Sequence, residues 1–124
     1  MPIAVKTDSA RDLTLCTATG ELTFHDQVAV LKSFYEGNPT RNLLWDMRQI
    51  SGARITSQEI TDIIEFINSY KEKRLAGKTA LVTATDLDFG MSRMSELLAE
   101  SSGIPWEIRA FHSLDDALSW IDEG

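Results

Sequence analysis

The stretch from residue 42 to residue 84 does most to limit what this chain can fold into. Leu43, Leu44 and Trp45 open a strand candidate, 42–47, with apolar residues on both faces, as in a central strand covered on both sides. A polar segment, 46–56, leads into a helix with Ile60, Ile63, Ile64 and Ile67 on one face, while Asp62, Glu65, Glu72 and Lys73 take the wet side. Gly77 follows, and Ala80, Leu81 and Val82 mark a second buried strand within 79–84. Two strands joined through a helix form a βαβ unit, which needs a parallel pair and predicts an α/β domain.

The remainder of the chain extends that unit in both directions. Two strands, 3–6 and 11–18, are expected on either side of a polar turn, Thr7-Asp8-Ser9-Ala10. Phe24, Val28, Leu31 and Tyr35 recur at helical spacing, and Gly37-Asn38-Pro39 stops that helix. Thr56 and Glu59 have the spacing of a capping box at the start of the central helix. Thr85-Asp86-Leu87-Asp88 reads as a loop ending in an Asp cap, before a third helix that carries Met91, Met94, Leu97 and Leu98 and closes at Ser102-Gly103. A last strand, 106–111, precedes a helix capped by Ser113 and bearing Leu114, Ala117, Leu118 and Ile121. The expected fold is a single α/β domain over residues 1–124, ordered ββαβαβαβα. Its sheet is mostly parallel and built as a right-handed βα superhelix.

Composition narrows the function classes. A chain of 124 residues holds one ordinary domain, and 43% hydrophobic with 25% charged residues is a globular balance. Nineteen acidic against twelve basic residues give a formal charge of −7, which repels nucleic acid. The densest basic group, Lys71, Lys73 and Arg74, falls at a helix end, where solvated cations complement the macrodipole. Cys16 is the single cysteine, so no intrachain disulfide can form, and its strand-like surroundings suit a small buried hydrophobe. The N-terminus lacks a signal-peptide layout, and no apolar run approaches the roughly 20 residues of a membrane span. A soluble cytoplasmic protein is the expectation.

Several strings carry a family resemblance. They are Gly20-Glu21-Leu22-Thr23 before the first helix, Leu44-Trp45-Asp46-Met47-Arg48 at the central strand, and Phe89-Gly90-Met91-Ser92-Arg93-Met94 in the third helix. Ile108-Arg109-Ala110-Phe111 and Asp115-Asp116-Ala117-Leu118-Ser119-Trp120 follow near the end. From about residue 11 onward the chain resembles the STAS-like proteins, and more closely the small stand-alone bacterial proteins grouped as SpoIIAA-like or STAS/SEC14-like. The resemblance implies the fold given above and a regulatory role through protein contacts. Antagonists of that group carry a phosphorylatable serine in an Asp-Ser-Ser-Gly or similar motif. Here the matching stretch, Ala53-Arg54-Ile55-Thr56-Ser57-Gln58, keeps hydroxyls at Thr56 and Ser57 but has neither the preceding Asp nor the following Gly. A helix cap is the plainer role for that pair.

No catalytic or cofactor signature is present. His25 and His112 have no Cys or His at ligand spacing, there is no Gly-Xaa-Ser-Xaa-Gly elbow, and no glycine-rich phosphate loop occurs. The expectation is therefore no enzyme, no metal and no cofactor. What remains is polar convergence at the carboxyl ends of the strands, where open parallel sheets place their sites. Asp46, Arg48, Ser51 and Arg54 follow the central strand with Thr56 and Ser57; Asp86, Asp88 and Arg93 follow the next, and His112 and Ser113 the last. Met47, Phe89, Met91 and Met94 could wall an apolar pocket beside them. Two roles stay open: an interaction domain for an unidentified protein partner, a second copy in a homodimer included, or a binder of a small apolar or anionic ligand in that crevice.

Overall fold

The computed structural model describes residues 3–51 and 55–123. Its elements run β1 (Ile3–Asp8), β2 (Leu13–Gly20), α1 (Phe24–Glu36), β3 (Asn42–Ile50), α2 (Ser57–Asn68), β4 (Lys78–Val82), α3 (Asp86–Ser102), β5 (Glu107–Phe111) and α4 (Leu114–Asp122). The strands lie side by side in chain order, β1 antiparallel to β2 and every later pair parallel. Single-domain α/β architecture with a mostly parallel five-stranded sheet is thus observed as expected.

Boundaries shift where long-range pairing outweighs local signals. Thr7 and Asp8 belong to β1, not to the turn, because they pair with Thr14 and Leu13. The turn is residues 9–12, held by Asp8 Oδ1, which accepts from the amides of Ala10 (3.1 Å) and Arg11 (3.3 Å), and by Asp12 at φ 50°. β3 continues three residues past 47, since Gln49 and Ile50 pair with Thr19 and Gly20. Thr85, not an Asp, caps α3, accepting from the Asp88 amide at 3.1 Å.

Strand alternation sorts the core into two layers. Cys16, Leu43, Trp45, Met47 and Leu81 face α1, α2 and α3, where Leu31, Tyr35, Ile63, Ile64 and Ile67 meet them. Leu13, Leu44, Ala80 and Val82 face α4 alone, through Ala117, Trp120 and Ile121. Three helices on one face follow when successive crossovers share one hand and advance in one direction.

At the amino ends of the strands, Arg74 departs from the solvated role expected of its basic cluster. Lys71 and Lys73 are exposed, but Arg74 retains only 4% of its surface. Its guanidinium donates to Tyr35 Oη (3.3 Å), Thr79 Oγ1 (2.7 Å), the Lys78 carbonyl (2.9 Å) and twice to the Arg41 carbonyl (3.0 and 3.3 Å). It also sits 4.8 Å from the Trp106 ring centroid. Gly77 lets these strands close up: at φ +117°, a Cβ there would fall 1.9 Å from the Arg41 carbonyl oxygen. Lysine carries a point charge and cannot reach so many oxygens. Arg74→Lys is therefore expected to lower stability by about 1–3 kcal/mol, the cost of buried groups left unpaired. Urea unfolding checks this, and an unchanged midpoint would refute it.

Candidate functional site

The described residues enclose a cavity of ≈ 80 Å³ at the carboxyl ends of β3 and β4. Met47 and Ile50 of β3 form one wall, Leu81 of β4 and the adjoining Thr83 the floor, and Ile55, Ile60 and Ile63 the α2 side. The first turns of α3 supply Asp88, Met91, Ser92 and Ser95, and Leu22 with Gln27 closes the α1 side. A register shift makes this wall. Between Thr17 and Thr19 of β2, β3 advances from Asp46 to Gln49, one residue more than its partner. Met47 and Ile50, three apart, would point to opposite faces of a regular strand; the bulge turns both toward the cavity.

Two of the polar residues that line the cavity are deeply buried. Thr83 is 1% exposed and Gln27 9%, yet among the described residues Thr83 Oγ1 and Gln27 Oε1 have no hydrogen-bond partner. A buried polar atom left unpaired costs about 1–3 kcal/mol. Asp88 is also buried there, its helix position in the first turn of α3 favouring negative charge.

Of the residues expected from sequence to gather at one crevice, the described residues bring only Asp88 to this cavity, and the others disperse. Asp46 and Arg48 lie within β3, not at its end, and grip each other: Arg48 Nε and Nη2 each lie 2.8 Å from an Asp46 carboxylate oxygen. Asp115 of α4 adds attraction for Arg48, which puts this pair toward the α4 layer, across the sheet from Met47. Arg54 lies outside the described residues. Thr56 is the N-cap of α2 and Ser57 its exposed first residue. Asp86 is exposed at the start of α3, and Arg93 is exposed and ion-paired to Glu96 at 2.7 Å. Ser51 is exposed, with its amide donating to the Gly20 carbonyl at 2.7 Å. Ser113 caps α4, and exposed His112 packs against Phe89 with ring centroids 4.0 Å apart. Of the apolar group, Met47 and Met91 line the cavity while Met94 and Phe89 do not.

Sequence reading passed over Gln27, Thr83, Ser92 and Ser95. One signal for Gln27 was available: it sits three residues after Phe24 and four before Leu31, a polar residue in phase with an apolar stripe.

Among the described residues no group of His, Cys, Asp and Glu could hold a metal ion, and no helix is long and apolar enough to cross a membrane. Burial pushes the Cys16 thiol up to about 12, as suits a core residue and not a nucleophile.

A SpoIIAA-like family model matches residues 15–122. The chain belongs to the SpoIIAA-like family. A solved structure agrees: an uncharacterised protein of the DUF3478 family with a SpoIIAA-like fold, from Shewanella loihica PV-4. It is 20% identical, covers 96% of this chain and 93% of its own, and superposes with a TM-score of 0.61. No curated protein matches.

Within this SpoIIAA-like domain, Thr56 is committed to structure. Its Oγ1 accepts from the Glu59 amide at 3.1 Å while Glu59 Oε1 accepts from the Thr56 amide at 2.9 Å. Thr56→Ala is expected to cost about 1 kcal/mol, whereas Ser57→Ala should change stability by less than about 0.5 kcal/mol. Thermal melts of the two variants decide it, and equal shifts would reassign the cap. The Arg48 guanidinium, hydrogen-bonded to Asp46, holds that carboxyl below the usual carboxylate range against the upward push of partial burial. A depressed folded-state value means the pair stabilises above the unfolded value of about 3.9 and is lost as acid protonates the folded carboxylate. Asp46→Asn is thus expected to be less stable at neutral pH by up to about 1 kcal/mol, since Arg48 is well exposed. That deficit should close below about pH 4; a pH-independent deficit in denaturation would exclude this origin.

Proposed function

We propose that this SpoIIAA-like domain is a non-enzymatic ligand-binding module whose ligand occupies the cavity between α1, α2 and α3. One observation carries the reading: an apolar cavity at the carboxyl edge of the sheet, whose lining residues Thr83 and Gln27 each keep a buried oxygen, Oγ1 and Oε1, without a partner among the described residues. Of the two roles left open by the sequence, protein partner or small ligand, the second has this feature behind it. Apolar walls with a few convergent polar groups are the usual make-up of small-molecule sites, and the carboxyl edge of a parallel sheet is their usual place. The described lining offers hydroxyls, an amide and a carboxylate but no imidazole or thiol, which favours binding over nucleophilic chemistry. Ligand occupancy would reach partners through the first turns of α2 and α3, which frame the cavity, so regulation through protein contacts fits the same site.

Ser95, half-buried at the rim on α3, allows a direct test. Ser95→Leu is expected to keep the fold and fill the opening. Compounds found in a small-molecule thermal-shift screen should stabilise the wild type, by about 2.7 kcal/mol at 100 times the dissociation constant, and leave the variant unmoved. A broad screen without wild-type stabilisation, or equal stabilisation of both proteins, would overturn the reading.

A further inference from the structure

We infer that the outer edge of β5 is a strand-addition site for a second copy of this chain, held shut by the Glu96 carboxylate. The site lies apart from the cavity and does not depend on it. Hydrogen bonding fixes which groups it offers. The Glu107 amide donates to the Gly77 carbonyl at 3.0 Å, and the Phe111 carbonyl accepts from the Thr83 amide at 3.0 Å. Residues 107, 109 and 111 therefore turn their backbone groups toward β4, and alternation turns those of Ile108 and Ala110 outward. The outward Ala110 amide is taken by Glu96 Oε2 at 3.1 Å, whereas among the described residues no side chain bonds the backbone of Ile108. There is room beside that edge. A groove of ≈ 470 Å³ is bordered by Arg93, Glu96 and Glu100 of α3, by Ile108 and Arg109 of β5, and by Trp120 of α4.

Charge names the occupant. A second copy related by a twofold axis normal to the sheet brings its own β5 alongside in antiparallel pairing, outward residues opposite outward residues. Centred on Arg109, that pairing sets two like charges directly opposite each other, which is unfavourable. Centred on Ile108, it sets Glu107 of each copy opposite Arg109 of the other, two attractive pairs on one face of the sheet. Both side chains are exposed, and neither has an ion-pair partner among the described residues. Ile108 then exchanges both backbone bonds with its counterpart on the axis. Glu96 has to release only the Ala110 amide, so its carboxylate acts as a lock and not as a wall.

Sedimentation velocity of the full chain over a wide concentration range tests this, with circular dichroism to confirm that each variant is folded. Glu96→Ala is expected to dimerise at least tenfold more tightly than the wild type. Glu96→Gln, which keeps the shape but accepts more weakly without the charge, should fall between them. In the Glu96→Ala background, Glu107→Arg and Arg109→Glu should each weaken the dimer at least tenfold, since each sets like charges opposite. Combining the two exchanges the signs and should restore the dimer. Lys6→Glu, on β1 at the opposite edge of the sheet, should leave association unchanged. Association no tighter in Glu96→Ala and Glu96→Gln than in the wild type overturns the lock. A dimer lost on Lys6→Glu but indifferent to the β5 charges overturns the choice of edge, and a combined variant that stays monomeric overturns the register. If Glu96→Ala binds a synthetic peptide of residues 105–112 yet remains monomeric, the edge takes other extended chains and the second copy is overturned as its occupant.

Discussion

The guanidinium of Arg74 is a cation buried among uncharged oxygens and aromatic rings, and the amino edge of the sheet is organised around it. Desolvating such an ion costs several kcal/mol even after relaxation. Five hydrogen bonds to a charged donor, each worth roughly 1.5–3 kcal/mol, outweigh that cost. Their acceptors come from α1, the entry to β3 and the start of β4, so a single side chain ties the two crossovers β2–α1–β3 and β3–α2–β4 together. Burial lowers the Arg74 pKa, but arginine starts so high that it stays charged, and the same burial raises that of Tyr35. With one edge fixed in this way, the opposite, carboxyl edge can leave space between its helices.

Much of the fold was legible where a signal is local, though the α3 cap falls on Thr85 and not on the expected Asp. The Thr56–Glu59 box, the Ser113 cap and the Gly103 stop each depend on residues within one turn of each other, and each is where the sequence places it. The end of β3 was not legible, because Gln49 and Ile50 become strand only through pairing with β2. Arg74 was misread for the same reason: its partners are 4 to 39 residues away, and a basic residue after a helix ordinarily means solvent. The candidate site fared least well. Polar residues near strand ends seemed to share one crevice, but alternation sends Asp46 and Met47 to opposite sides of the sheet. Two residues of the cavity lining, Thr83 and Gln27, resemble ordinary polar residues in sequence, and only the surrounding helices bury them.

The outer strand β5 shows how the domain guards an unpaired edge. The Ala110 amide, free of any strand partner on that side, donates to Glu96 Oε2 at 3.1 Å, while Arg93 holds the other Glu96 oxygen at 2.7 Å. A carboxylate over an edge amide occupies the donor that another chain would need for strand addition. Arg93, expected from sequence to serve a ligand, thus serves sheet protection together with Glu96.

The strictly sequential strand order bears on how the domain is made. Each strand of the sheet pairs with the one synthesised before it, so a chain leaving the ribosome always finds its template already in place. No strand waits for a distant partner, and exposed pairing edges persist only briefly during growth. The α4 layer is the exception. Leu13, Leu44, Ala80 and Val82 have no cover until the residues after 113 emerge, so a ribosome halted just short of them would display a greasy, half-roofed sheet to chaperones and proteases.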